Sequence, residues 1–138
     1  MASLKIIGST ETVDLPELGL SKVPAKIDTG AKTSVLHCKD FRVEKEGAKR
    51  YIYIRLQDDD KEYRFIVHRE KKVKSSFGES EIRYIFITKI LMFGREYAIK
   101  LSLRDRSSMK YPMLLGYNFL KGKFLVDVSK DNLSVNNA

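Results

Sequence analysis

The stretch KIDTGAKTS, residues 26–34, decides the fold of this chain. The apolar run at 23–27 reads as a β-strand, and Asp28-Thr29-Gly30 reads as the tight turn that ends it. Gly30 permits a backbone conformation that a side chain would obstruct, and Thr29 offers a hydroxyl to neighbouring main chain. The stretch predicts a carboxylate on a turn leaving a sheet, although Asp, Thr and Gly are also ordinary turn formers.

A second stretch, YPMLLGYNFL at residues 111–120, has the same kind of organisation. An apolar strand runs into Gly116, and a short helix is expected near residues 118–121. Each stretch alone is common among unrelated proteins. Their occurrence together, in this order and in a chain of this length, is much more specific.

The rest of the chain is typical of an all-β protein. Apolar and polar residues alternate at 50–56 and 97–103, and β-branched and aromatic residues are frequent at 63–68 and 83–91. Turn-forming residues separate these runs at 58–60, 75–78 and 93–94. The pattern predicts a meander of short strands closed into a barrel, which hides strand edges, with one short helix near the C-terminus.

Length and composition are those of an ordinary globular protein. A chain of 138 residues predicts a single domain spanning 1–138, because a domain of this size buries about two-thirds of its unfolded surface. No apolar run approaches the length of a membrane span, so we expect no membrane partner. The first eight residues lack the features of a secretory signal, and the single cysteine, Cys38, excludes an intrachain disulfide. We therefore expect a cytoplasmic protein.

The net charge of +8 favours an anionic partner. The basic residues are dispersed, without a continuous Lys/Arg block, so we do not expect nucleic acid as the partner. A nucleic-acid-binding barrel that uses Tyr51 and Tyr53 is the lowest-ranked alternative.

Taken together, these motifs resemble the retropepsin-like aspartic peptidases. More narrowly, the chain is similar to a retropepsin-like family that carries the name ATP-dependent zinc protease, whose members are often encoded beside RimK-type glutamate ligases. The matching motifs span about residues 5–130 and are KIDTGAKTS at 26–34, VKSSFG at 73–78, RDRS at 104–107, PMLLG at 112–116 and FLVD at 124–127.

The resemblance implies a closed retropepsin-like barrel with a catalytic turn formed by Asp28, Thr29 and Gly30. In aspartic peptidases two aspartates share one proton and activate water. A homodimer would supply the second aspartate, and Asp105 and Asp127 are the intrachain alternatives. Retropepsins commonly brace their dimer with an ion pair between an acidic residue and an arginine, but Lys32 and Tyr117 occupy those positions. That brace is therefore absent from this chain.

The resemblance also suggests the substrate. Lys32, Lys74, Arg104 and Arg106 lie in the matching segments or in the expected flap, and cations there would bind the carboxylates of a glutamate-rich acidic peptide or protein. The leading interpretation is an aspartic-type endopeptidase. Its alternative is a module on the same fold that binds acidic peptides without cutting them.

The family name implies zinc and ATP, and the residues do not support either. The chain has no His-Glu-x-x-His motif and no phosphate-binding Gly-x-x-x-x-Gly-Lys-Ser/Thr loop. A zinc ion would have to use His37, Cys38 and His68, and adjacent strand residues such as His37 and Cys38 point to opposite faces. We therefore expect no cofactor and no metal ligand.

Overall fold

The computed structural model describes residues 3–74 and 76–136. The strands are β1 (Lys5–Ile7), β2 (Thr10–Leu15), β3 (Leu20–Asp28), β4 (Ser34–His37), β5 (Asp40–Glu46), β6 (Lys49–Arg55), β7 (Tyr63–Ile66), β8 (Arg69–Lys74), β9 (Ser80–Met92), β10 (Arg95–Arg104), β11 (Met113–Gly116) and β12 (Phe124–Val126). The helices are α1 (Tyr117–Leu120) and α2 (Leu133–Asn136), with a 3₁₀ turn at Pro16–Leu18.

Six strands form a closed barrel. Their order is β10-β4-β11-β3-β2-β9, and β9 pairs with β10 to close the ring. Each of these strands has two hydrogen-bonded neighbours, so the barrel leaves no open edge among them. The predicted closed all-β barrel is confirmed.

Three further pieces are attached to the barrel. β8 pairs with β9 and forms a hairpin that projects beyond it. β5, β6 and β7 form a separate antiparallel sheet, and β1 pairs in parallel with β12. The hairpin is the piece that approaches the candidate site described below.

The interior of the barrel is filled by alternating residues of its strands. Val13 and Leu15 of β2, Ala25 and Ile27 of β3, and Met113 and Leu115 of β11 are all buried. The period-two pattern arises because successive strand side chains point to opposite faces. Burying each large aliphatic side chain contributes about 1.5–3 kcal/mol.

Two of the predicted turns are confirmed. Phe93 and Gly94 have φ of 54° and 68° and link β9 to β10 in a two-residue hairpin turn. Such turns need positive φ at both central residues, which explains the glycine. Bends at 58–60 separate β6 from β7. The predicted turn at 75–78 includes Ser75, which lies outside the described residues, and residues 76–78 form turn and bend structure.

The helices differ slightly from the sequence expectation. The predicted helix after Gly116 is confirmed, beginning at Tyr117 rather than Asn118. The second short helix, α2, was not predicted. The Glu11 carboxylate accepts hydrogen bonds from the backbone N–H groups of Leu133 (3.1 Å) and Ser134 (2.8 Å), which fixes the start of this helix. Glu11 comes from β2, so the local sequence around 133–136 gives no sign of this contact. No helix in the described part of the chain has the length and apolar character needed to cross a membrane.

Candidate active site

Asp28 is the last residue of β3 and lies against the end of β11. β11 runs parallel to β3, with Leu115 opposite Ile27 and Gly116 opposite Asp28. On its other side β11 pairs antiparallel with β4. The carboxylate therefore leaves the barrel where three strands meet.

The turn after Asp28 holds its carboxylate directly. The Gly30 N–H donates to Oδ1 of Asp28 at 3.0 Å, and the Ala31 N–H donates to the Asp28 carbonyl oxygen at 3.3 Å. Asp28 is half-buried, whereas Thr29 and Gly30 are exposed. Among the described residues, no hydrogen bond to the Thr29 hydroxyl is formed. The predicted turn is present, and the catalytic role of its three residues stays a prediction. The expectation that a side chain at Gly30 would obstruct the turn is wrong, because Gly30 does not have a positive φ and a Cβ there would meet only Oδ1 of Asp28, at 3.4 Å.

The loop at 31–34 crosses closely over the start of α1. The Gly116 N–H donates to Oγ of the buried Ser34 at 3.0 Å, and the Tyr117 N–H donates to the Ala31 carbonyl oxygen at 2.8 Å. A Cβ atom at Gly116 would lie 2.8 Å from the Ala31 oxygen. Glycine is therefore required here because two backbones touch, and this contact fixes the turn that carries Asp28.

The hairpin β8–β9 lines one side of a cleft that begins just after this turn. The cleft has a volume of about 390 Å³, within the range of small-ligand sites. One wall comes from the loop after Asp28 and from β4, and the other comes from the hairpin. Its lining residues are Ala31, Lys32, Thr33, Val35, Lys71, Val73, Arg83, Ile85 and Ser102.

Three cationic side chains line this cleft. Lys32 is exposed on the loop, and Lys71 lies directly opposite Arg83 in the hairpin register. The Arg83 side chain is only 17% exposed, and its Nε lies 3.3 Å from Oε1 of Glu81. The cleft thus presents positive charge to whatever lies beneath the hairpin.

Lys71 and Arg83 line the cleft, but they were not among the site residues selected from the sequence. Lys74 was chosen instead, but Lys74 and Lys72 lie on the opposite face of β8 from Lys71 and Val73, which line the cleft. Lys74 is exposed near the tip of the hairpin. Its predicted contact with substrate stays a prediction.

Arg104 and Arg106 lie at the other end of β4. Arg104 is opposite His37, the last residue of β4, whereas Ser34 at its first residue contacts Gly116. Arg106 is only 7% exposed, and its Nε donates to the Tyr111 carbonyl oxygen at 3.0 Å. Its backbone N–H donates to Nδ1 of His37 at 2.8 Å. The structure does not bring these two arginines together with Lys32, and their predicted role in substrate binding stays a prediction.

The two intrachain candidates for a second carboxylate are bound within their own loops. Asp105 accepts a hydrogen bond from the Ser107 N–H at 3.0 Å, and Ser107 holds the pKa of Asp105 below its usual value. Asp127 accepts hydrogen bonds from the N–H and hydroxyl of Ser129, which likewise lower its pKa. Within the described residues, the hydrogen bond to the Asp28 carboxylate comes from Gly30, and neither aspartate takes part.

The side chains considered for zinc do not assemble into a site. No group of three or more His, Cys, Asp or Glu side chains in residues 3–74 and 76–136 is arranged to hold a metal ion. His37 Nδ1 is occupied by the Arg106 N–H. Burial, with help from Asp40 and Asp105, raises the pKa of the Cys38 thiol to about 11, which disfavours the thiolate that a metal would need. The residues present do not fit zinc.

Arginine side chains lie over Tyr51 and Tyr53, the two tyrosines of the nucleic-acid-binding alternative. The Arg42 guanidinium lies 4.3 Å from the Tyr53 ring centroid, and the Arg64 guanidinium lies 4.4 Å from that of Tyr51. Arg42 is in turn ion-paired with Glu44 and Glu62. Each ring thus has one face occupied by a guanidinium group, and the ranking of this alternative stays a prediction.

Comparison with known proteins identifies the family. A family model described as "RimB-like: Retropepsin-like aspartic endopeptidase RimB" matches residues 6–137. This chain belongs to the RimB-like family. The matched residues include the Asp28 turn and the strand that ends at Gly116, which the structure places side by side.

Curated relatives of the chain are longer proteins. It is 37% identical over 131 residues to a probable alpha-L-glutamate ligase of Shewanella pealeana and 30% identical over 129 residues to one of Desulfotalea psychrophila. It covers 29% and 28% of these relatives, so the chain spans under a third of their length. The match covers 91% and 89% of the chain itself.

A solved structure has the same fold. The crystal structure of a protein of unknown function from Legionella pneumophila superposes with a TM-score of 0.75 at 26% identity. The similarity covers 96% of this chain and 99% of that protein.

Proposed function

We propose that this chain is an aspartic-type endopeptidase that cuts glutamate-rich peptides, with Asp28 of two copies activating water. The observation that carries the proposal is the Asp28 turn. Its carboxylate is anchored through Oδ1 by the Gly30 N–H and belongs to a half-buried residue at the end of a barrel strand. The loop that follows the turn lines a cleft through Ala31, Lys32 and Thr33. Membership of the RimB-like family supports the same reaction.

The chemistry needs a second carboxylate close to the first. Two aspartates a few ångströms apart cannot both ionise, so the pair holds one proton. The ionised aspartate takes a proton from the water molecule as the water oxygen attacks the peptide carbonyl carbon. The protonated aspartate gives its proton to the carbonyl oxygen. The tetrahedral intermediate is a diol. When it collapses, the C–N bond breaks, the leaving nitrogen receives the proton held by the pair, and one hydroxyl of the diol returns its proton to the pair.

A second copy of the chain is the source that we favour for that carboxylate. β1 and β12 expose an apolar strip in which Ile6 (54% exposed) lies opposite Leu125 (55% exposed), with Leu4 beside them. The chain leaving β1 passes next to the end of β3, where the Ile27 N–H donates to the Ser9 carbonyl oxygen. A homodimer formed through this strip would cover the apolar surface on the side where β3 ends.

Backbone contacts support a site that functions without the usual bracing ion pair. Lys32 and Tyr117 occupy the positions of that pair. The Tyr117 N–H instead donates to Ala31 and the Asn118 N–H donates to the Lys32 carbonyl oxygen at 3.1 Å, which braces the turn within one copy.

Charge and the relatives support an acidic substrate. Lys32, Lys71 and Arg83 line the cleft, and the whole chain carries a net charge of +8. The relatives that contain a segment similar to this chain are named as glutamate ligases. A peptide of α-linked glutamates is the substrate that fits both observations, with carboxylates paired to the cleft cations.

The decisive experiment measures hydrolysis of an α-linked oligoglutamate by wild type, Asp28→Asn and Lys32→Ala, with product lengths read by mass spectrometry. We expect cleavage by wild type, none by Asp28→Asn and a raised KM for Lys32→Ala. Binding without cleavage by wild type would favour the acidic-peptide-binding module instead. Equal rates in all three proteins would remove both the catalytic and the specificity proposals.

A further inference from the structure

A second cleft lies on the outer surface of the barrel, between the base of the β8–β9 hairpin and the segment that follows α1. Its volume is about 380 Å³, again within the range of ligand sites. We call it the outer basic cleft. It is lined by Thr33, Ser34, His68, Arg69, Ile85, Ala98, Ile99, Lys100, Asn118, Phe119, Lys121 and Lys123.

The lining of the outer basic cleft contains four Lys or Arg side chains and, among the described residues, no Asp or Glu. Lys123 is tethered, since its Nζ donates to the Phe119 carbonyl oxygen at 3.0 Å. Arg69, Lys100 and Lys121 form no ion pair within the part of the chain that the structure describes. Elsewhere on the surface Lys89 pairs with Glu96 and Arg42 with Glu44. The unpaired cations produce a local positive potential that an anionic ligand would neutralise.

The outer basic cleft adjoins the cleft beside the Asp28 turn. Thr33 and Ile85 line both clefts. Asn118 lines the outer basic cleft, and its backbone N–H donates to the carbonyl oxygen of Lys32, which lines the cleft beside the Asp28 turn. The two clefts therefore meet at Thr33 and Ile85.

We propose that the outer basic cleft binds carboxylates of an acidic peptide at positions remote from the bond that is cut. This inference rests on the proposed function and adds an extended binding region to it. The side chains that would bind these carboxylates are Lys100 on β10, Lys121 just after α1 and Arg69 at the base of the hairpin. An extended peptide advances about 3.3 Å per residue, so only long substrates reach these groups.

Binding to a protein that does not cut the peptide provides the test. Asp28→Asn is the background, and fluorescence anisotropy reports binding of labelled oligoglutamates of about four and about twelve residues, which differ about threefold in reach. Lys100→Ala and Lys121→Ala are combined in one variant. Lys45→Ala combined with Lys49→Ala, which removes two exposed lysines on β5 and β6, is the matched control. Surface substitutions of this kind change stability by about 0.5 kcal/mol or less, so all variants should fold.

We expect the double variant to bind the long peptide about tenfold more weakly, with less than about a twofold change for the short one. The control variant should leave both affinities within about twofold of the background. The proposal would be overturned if the double variant lost the same affinity for the short peptide as for the long one, or if the control lost as much affinity as the double variant. It would also be overturned if the background protein did not detectably bind the long peptide. Displacement of the long peptide by single-stranded DNA at concentrations equal to those of unlabelled oligoglutamate would overturn it as well. Failure of the proposed function would show separately, as absence of hydrolysis by wild type.

Discussion

Gly116 lies directly beside Asp28 in the parallel register of β11 and β3, and its backbone N–H donates to the buried hydroxyl of Ser34. The Asp28 turn, the loop after it and the start of α1 are therefore joined at one glycine. The position of the Asp28 carboxylate depends on this close approach of two backbones.

Gly116→Ala tests that dependence. The added Cβ would lie 2.8 Å from the Ala31 oxygen and 2.9 Å from the Thr33 carbonyl carbon. Because both neighbours are backbone atoms, we expect a loss of about 3 kcal/mol in the free energy of unfolding, measured by urea denaturation. Gly30→Ala is the control, since its Cβ would meet only Asp28 Oδ1 at 3.4 Å. A Gly116→Ala protein as stable as wild type would contradict the described crossing.

The two faces of β8 give a matched pair of variants. Lys71 lines the cleft beside the Asp28 turn, and Lys72 is exposed on the other face. We expect Lys71→Ala to raise KM for an oligoglutamate about fivefold to tenfold by removing a cation that pairs with substrate carboxylate. Lys72→Ala should change KM by less than about twofold, since exposed charges contribute little.

Lys74→Ala belongs in the same series, because the sequence singled out Lys74 and the structure places it on the Lys72 face. Equal effects at Lys71 and Lys72 would show that net charge, rather than the cleft, controls substrate binding.

Glu11 is expected to stabilise the C-terminal segment. Its buried carboxylate accepts hydrogen bonds from three backbone N–H groups, those of Gly8, Leu133 and Ser134. Glutamine has one acceptor oxygen and cannot satisfy all three donors, so Glu11→Gln should cost about 2–3 kcal/mol. Urea unfolding measures this, with Glu44→Gln on exposed β5 as a control expected to change stability by less than about 0.5 kcal/mol. An unchanged midpoint for Glu11→Gln would show that these contacts do not stabilise the fold.

Cys38 should be chemically inert in the folded protein. Its pKa is raised to about 11, mainly by burial, so at pH 8 only about one thiol in a thousand is ionised. The thiolate fraction grows as pH rises toward that pKa, and unfolding restores ordinary reactivity. We expect negligible iodoacetamide labelling at pH 8 and rapid labelling in urea, read by mass spectrometry. Rapid labelling of the folded protein would contradict the described burial.

The features that sequence analysis predicted well are local. Asp28-Thr29-Gly30 and the strand ending at Gly116 both have turn and apolar signals within a few residues, and both lie where expected. The two-residue turn at Phe93-Gly94 is another example. In each case the backbone conformation is largely determined by the residues that adopt it.

The features that sequence analysis did not predict depend on pairing between distant segments. β8 is mostly charged, so alternation of apolar residues could not show that Lys71 rather than Lys74 faces the cleft. Arg106 is held by Tyr111 and His37, and this follows from the pairing of β10 with β4. The second helix depends on Glu11, which lies over a hundred residues away in the sequence.

The most direct test of the central claim mixes wild-type chains with an excess of Asp28→Asn chains and measures oligoglutamate hydrolysis per wild-type chain. If two copies each contribute Asp28, mixed dimers have one competent aspartate, and the rate per wild-type chain should fall toward zero as the variant is added. A rate per wild-type chain that stays constant across the titration would contradict the account.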